Sequence, residues 1–184
     1  MSSFPAVHMI EIADTPASWE SAGFSVIDST VQLGEVLIQL TGAGAVPAGG
    51  IVSWVLSGVG SEFFHLPEVR DEPAPWALDG VPTHVTAADA PAPPALPHPN
   101  GVTGIDVIIL RSSNPARTLE ALEAIGLQSR AENGPETRKA RKTAQYFIRP
   151  EGAPCTIELV GPAEGEGEGG AELWCVVRKS TIFF

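Results

Sequence analysis

Glu158 lies inside the apolar run CTIELVGP (155–162), a carboxylate among strand-forming side chains. A charge there is costly unless it is paired, coordinated or turned toward a wet cleft. Two chemistries suit it: oxygen ligation of a divalent ion, or general-base work. The plainer alternative is an alternating strand residue facing solvent. His8, in AVHMIEI (6–12), is a second candidate, because a neutral imidazole is a common metal ligand. A lone histidine near a chain start is as readily exposed or structurally satisfied. Gln39, in VLIQLTG (36–42), offers a carbonyl oxygen, and a polar residue on the outer face of a hairpin explains it equally well.

Other chemistry-bearing residues read more plainly. Trp54 and Trp174 are expected in the core or at a module interface rather than as substrate platforms. His65, His84 and His98 fall in a loop-rich stretch without regular ligand spacing, so no role is assigned to them. No G-x-S-x-G, Walker-type loop or paired C-x-x-C occurs. The glutamates of AEGEGEGG (163–170) would repel phosphate, so that run reads as a solvated acidic loop. Cys155 and Cys175 lack metal-type spacing and read as free thiols in a reducing compartment.

Charge narrows the partners. The net charge is −11, and residues 1–100 hold one basic side chain, Arg70, against eleven acids. An acidic half of this kind argues against a phosphate backbone as partner. The basic cluster Arg138, Lys139, Arg141 and Lys142 reads as a solvated loop rather than a nucleic-acid face. No apolar run approaches the ~18 residues of a membrane span, and the N-terminus lacks the basic and apolar regions of a secretory signal. No nucleic acid, no membrane and a cytoplasmic location are the expectations.

The elements that must hold these residues are legible as patterns. Residues 6–12 read as a strand. Thr15-Pro16 starts a short helix, with threonine as N-cap and proline where no amide bond is lost, and Gly23 stops it. Residues 24–33 and 35–41 read as a hairpin, and IVSWVLSGV (51–59) as a strand centred on Trp54. Nine of the 17 prolines fall between Pro67 and Pro99. That stretch is expected to hold at most one short edge strand, DGVPTHV (79–85), and otherwise to be a semi-rigid linker. Beyond it, GIDVIILRS (104–112) is a strand, Asn114-Pro115 starts a helix that Gly126 stops, and strands follow at 144–148, 155–160 and 172–177.

The order of landmarks recurs. His8 lies 99 residues before Val107, Gln39 119 before Glu158, and Trp54 120 before Trp174. Self-similarity of this kind indicates two copies of one supersecondary unit. The expected class is α+β, with paired βαβββ modules forming a curved, incompletely closed mixed sheet. The expected organisation is a first module over 1–60, a Pro-rich linker over 61–100 and a second module over 101–184.

GIDVIILRSSNPARTLEALEAIGL followed by IELVGP resembles the glyoxalase-like, or vicinal-oxygen-chelate, superfamily. The resemblance implies a divalent ion (Mn, Fe, Ni or Zn) acting as Lewis acid on a small oxygenated substrate. It implies Glu158 as metal ligand or catalytic base, with His8 and Gln39 as further ligands. Val107 stands where the second unit would carry its histidine, and valine binds no metal. The alternative implied is a metal-free module that binds a small molecule or a partner. A third reading makes the Trp174 strand the opening of a further module, seeking a partner strand and forming a homo-oligomer.

Overall fold

The computed structural model describes residues 5–44, 50–60, 76–86, 96–130 and 143–180. The strands are β1 (Ala6–Ile12), β2 (Thr30–Leu33), β3 (Val36–Leu40), β4 (Ile51–Ser57), β5 (Trp76–Leu78), β6 (Val81–Thr86), β7 (Val102–Arg111), β8 (Ser129–Arg130), β9 (Thr143–Ile148), β10 (Thr156–Pro162) and β11 (Glu172–Ser180). The helices are α1 (Pro16–Ser21) and α2 (Pro115–Ala124). Both begin as their sequences dictate. The Thr15 hydroxyl accepts from the Ser18 amide at 3.3 Å, the Asn114 carboxamide oxygen accepts from the Arg117 amide at 3.2 Å, and proline fills the first turn of each. Past α2, Gly126 takes φ +91°, a conformation that lets the chain leave the helix without a Cβ clash.

The strands form two mixed, open sheets, and the chain is α+β. The first has the order β2-β3-β1-β4-β6-β5, the second β11-β7-β10-β9-β8. One pairing plan recurs. In the first sheet β3 runs parallel to β1, and β1 meets β4 antiparallel. In the second, β10 runs parallel to β7, and β7 meets β11 antiparallel.

The ladders shift the sequence offsets. Ile10 pairs with Ile38, and Ile108 with Ile157, so β7 follows β1 by 98 positions rather than 99. His8 then corresponds to Asp106, not Val107, and each of these residues sits at a register shift against the antiparallel neighbour. By the same ladders Trp54 corresponds to Val176, because Ile10 faces Trp54 and Ile108 faces Val176. A residue displaced at a bulge does not survive a count along the chain.

Two expectations are corrected. Trp174 is not a core residue: it is 57% exposed, at the register shift between Leu173 and Cys175, with the Arg111 guanidinium 5.8 Å from its ring centroid. Trp54 is fully buried and donates its indole N–H to Thr83 Oγ1 at 2.8 Å. The Pro-rich stretch holds two strands rather than one, and β6 lies between β4 and β5 instead of at an edge. Pro82 is tolerated because the ladder with β4 begins one residue later, at Thr83, so its missing amide donor is not needed there. Residues 61–75 and 87–95 of that stretch, with His65, lie outside the described residues, as does the basic cluster at 138–142.

One hydrophobic core serves both sheets. Ile10, Ile38, Trp54 and Leu56 of the first sheet join Ile108, Leu110, Ile157 and Leu159 of the second, together with Leu122 of α2 and Ile125 just after it. Across β3 and β10 the buried positions alternate with half-buried ones, as expected for strands with one face on a core.

Candidate functional site

The structure places His8 and Gln39 on the first sheet and Glu158 on the second. Gln39 is half-buried on β3 and alternates with buried Ile38 and Leu40, so it stands on the face turned away from the core. Its carboxamide is engaged locally: Thr30 Oγ1 donates to its oxygen at 3.2 Å, and its N–H group donates to the Ser29 carbonyl at 3.3 Å. Register places Glu11 beside Gln39 and Ser53 beside Glu11, and the Ser53 hydroxyl donates to the Glu11 carboxylate at 2.6 Å. Thr30, Gln39, Glu11 and Ser53 thus form one polar row across four strands. His8 lies on β1 at its register shift, three residues before Glu11.

Glu158 belongs to the other sheet. On β10 it alternates with buried Ile157 and Leu159, so it too faces away from the shared core. It accepts from the Gln145 carboxamide, and Ile109 and Cys175 occupy the same row. Burial, and then the Glu158 charge, push the Cys175 thiol above its ordinary range. Gln39 and Glu158 therefore stand on the half-buried faces of β3 and β10, one in each sheet. Among the described residues no group of three or more His, Cys, Asp and Glu is placed to hold a metal ion. No helix is long and apolar enough to cross a membrane among those residues.

What the fold does build is a cavity of about 510 Å³ at the β2 side of the first sheet. It is lined by Ser25, Ile27, Asp28, Thr30, Gln32, Leu37, Leu96 and His98. The volume falls within the roughly 300–1,000 Å³ of small-molecule sites. Gln32 and Leu37 face each other across β2 and β3 and form its floor. Asp28 and Ser29, at φ +47° and +61°, make the two-residue turn between Ile27 and Thr30 that shapes the rim; such a turn needs two left-handed residues.

His98 closes the cavity from 66 residues away. Its ring is 7% exposed, and the Ser25 amide donates to Nδ1 at 3.0 Å. Nδ1 is therefore the acceptor and Nε2 carries the hydrogen, which it donates to the Gln32 carbonyl at 2.8 Å. The Phe24 ring meets the imidazole edge to face at 5.5 Å. Asn100 ties the same segment to the end of α1, donating to the Ala22 carbonyl at 2.9 Å.

Gln32 is the chemically unfinished residue. It is 8% exposed, and its N–H group donates to the Gly34 carbonyl at 2.6 Å. That bond fixes the carboxamide orientation, since a flipped amide would set two oxygens against each other. Oε1 is then left without a donor, alone among buried side-chain polar atoms of the described residues. A buried acceptor without a partner costs about 1–3 kcal/mol.

Sequence reasoning missed the two buried polar residues of this cavity, Gln32 and His98. His98 reads as a loop histidine, and Gln32 carries no signal of its own within the hairpin over 24–41. Nothing local to LPHPN (96–100) marks an imidazole that will seat on strand backbone 66 residues upstream. The available hint was the turn chemistry of Asp79-Gly80, a strong two-residue hairpin signal, which the structure realises between β5 and β6 and which returns this stretch to the first sheet.

No family model matches the sequence, and no curated protein matches it. Among solved structures, the chain is similar to a xylose isomerase-like TIM barrel/4-hydroxyphenylpyruvate dioxygenase fusion protein, at 13% identity and TM-score 0.49, over 96% of this chain and 36% of that one. It is also similar to a triple mutant of 4-hydroxymandelate synthase from Streptomyces coelicolor, at 17% identity and TM-score 0.49, over 86% of this chain and 63% of that one. The chain thus spans less than two thirds of either protein.

Proposed function

We propose that this protein is a small-molecule-binding module with no catalytic step, and that its ligand occupies the cavity between β2, β3 and the His98 segment. The observation that carries this reading is the cavity's construction. Ile27, Leu37 and Leu96 supply apolar surface, and a buried, doubly hydrogen-bonded imidazole holds one wall in place. A pre-formed apolar cavity with few polar groups is the usual form of a ligand site. The vicinal-oxygen-chelate resemblance supports the reading, in the form of a relative without the metal set.

The test is a fragment screen followed by amide chemical-shift changes. Changes gathered at Ser25, Ile27, Gln32 and Leu37, and lost when Leu37→Trp fills the space, support the reading. Ligands whose changes gather around Glu158 and Gln145 instead would overturn it.

A second reading, a divalent-metal enzyme acting on a small oxygenated substrate, has one observation in its favour. Glu158 stands on a half-buried strand face, held by Gln145, beside Ile109 and Cys175.

A further inference from the structure

We infer that β11 is a docking edge for a second copy of this chain, and that two β11 strands pair antiparallel about a twofold axis, joining the second sheets of two molecules. None of the cavity-lining residues takes part.

Length sets β11 apart from the other edges. The edge strands are β2 and β5 in the first sheet, β11 and β8 in the second. β2, β5 and β8 hold four, three and two residues, and edges so short offer little backbone to pair with. β11 holds nine residues, about 30 Å of strand, with β7 along one side. No strand lies along its other side among the described residues. Its one extra residue against β7 is Trp174. The later register shifts skip Asp106 and Thr103 of β7 instead, so residues 175–180 of β11 carry no bulge of their own.

The side chains favour a protein strand on that side. Trp174 and Val177 are 57% and 43% exposed, and apolar surface continues inward from them, because Cys175 and Val177 neighbour the half-buried Ile109 and Val107 across the ladder. Charge selects the occupant. The strand carries Glu172 at its start and Arg178 and Lys179 near its end. Antiparallel pairing with another copy sets the acidic start of each strand against the basic end of the other, twice over by symmetry. Parallel pairing would set like against like. Glu172 and Lys179 each have an exposed partner in their own chain, Arg111 at 2.5 Å and Asp106 at 3.8 Å. Arg178 has no ion pair among the described residues, so a second copy's Glu172 gives it one.

The experiment uses the full chain. Sedimentation velocity from about 1 to 200 μM reads the assembly state, which mass action drives toward dimer. Amide hydrogen exchange at both ends of that range reads which backbone the assembly protects. The wild type is compared with Val177→Lys, with Arg178→Glu and with Arg178→Glu combined with Glu172→Arg. The expected result is a wild-type dimer whose β11 amides exchange more slowly at the higher concentration. Val177→Lys is monomeric, with an unchanged circular dichroism spectrum. Arg178→Glu weakens association about tenfold, since two symmetric charge pairs are lost, and adding Glu172→Arg restores most of it.

A wild type that stays monomeric at the highest concentration overturns the inference. So does a dimer that neither Val177→Lys nor Arg178→Glu weakens, because it is built on another surface. A dimer that leaves exchange in β11 independent of concentration overturns strand pairing. If a variant does not fold, the concentration dependence of wild-type exchange in β11 decides on its own.

Discussion

Arg117 and Asp79 join the two sheets: the guanidinium Nε of α2 donates to the Asp79 carboxylate, in the β5–β6 turn, at 2.7 Å. The same guanidinium donates to the carbonyls of Gly167 and Gly169, at 3.1 and 2.6 Å. The other Asp79 oxygen accepts from Thr118, and the Asp79 carbonyl accepts from the Ala171 amide at 2.6 Å. Asp79 is thus a corner shared by the β5–β6 hairpin, α2 and the approach to β11.

Asp79→Asn tests the charge separately from the turn, because asparagine also tolerates the φ of +47° found there. The expected loss is roughly 1–3 kcal/mol, with the Arg117 side chain 38% exposed and the Asp79 side chain 10%. Urea unfolding with and without added salt measures it. A variant as stable as wild type would show that the corner is held by backbone bonds alone.

His98→Phe keeps an aromatic ring against Phe24 but leaves the Ser25 amide and the Gln32 carbonyl without their partner. The expected cost is about 2 kcal/mol or more. Hydrogen exchange at the Ser25 amide should speed up in step with any loss of the unfolding midpoint. Unchanged exchange would mean that the imidazole is not what protects that amide.

The thiols give a pH-dependent outcome. Burial pushes Cys155 from an ordinary 9.0 up to about 12. Its folded value lies above its unfolded one, so its contribution to stability is full below about pH 9 and is lost as pH rises from 9 toward 12. Cys155→Ala should therefore lose less stability than wild type between pH 9 and 11. At pH 8, iodoacetamide should modify half-buried Cys175 first, and Cys155 only on unfolding. Equal labelling rates in the native protein would contradict the burial of Cys155.

The local engagement of Gln39 with Thr30 and Ser29, and of Glu158 with Gln145, predicts the response to metals. Melting of chelator-treated protein with Mn, Fe, Ni or Zn should show no rise in midpoint that depends on Glu158, because an ion that binds the native state raises it by mass action. A rise of several degrees in wild type that Glu158→Ala abolishes would restore a metal centre on the second sheet.

The sequence by itself determined most of the elements and their order, though not β5 or β8. Thr15-Pro16, Asn114-Pro115 and Gly126 act through bonds to residues within one turn, and the apolar alternation of VLIQL and TIELV sets which side chains share a face. The α+β class follows from those local signals. Tertiary structure decided which faces meet and which distant residues touch. A bulge at His8 shifts a register that no count along the chain reveals. Gln39 and Glu158 carry the same local pattern, yet they stand on different sheets. His98 becomes the wall of a cavity because its ring finds strand backbone 66 residues away. Such contacts form only when the chain closes on itself, so no neighbour in sequence carries their signature.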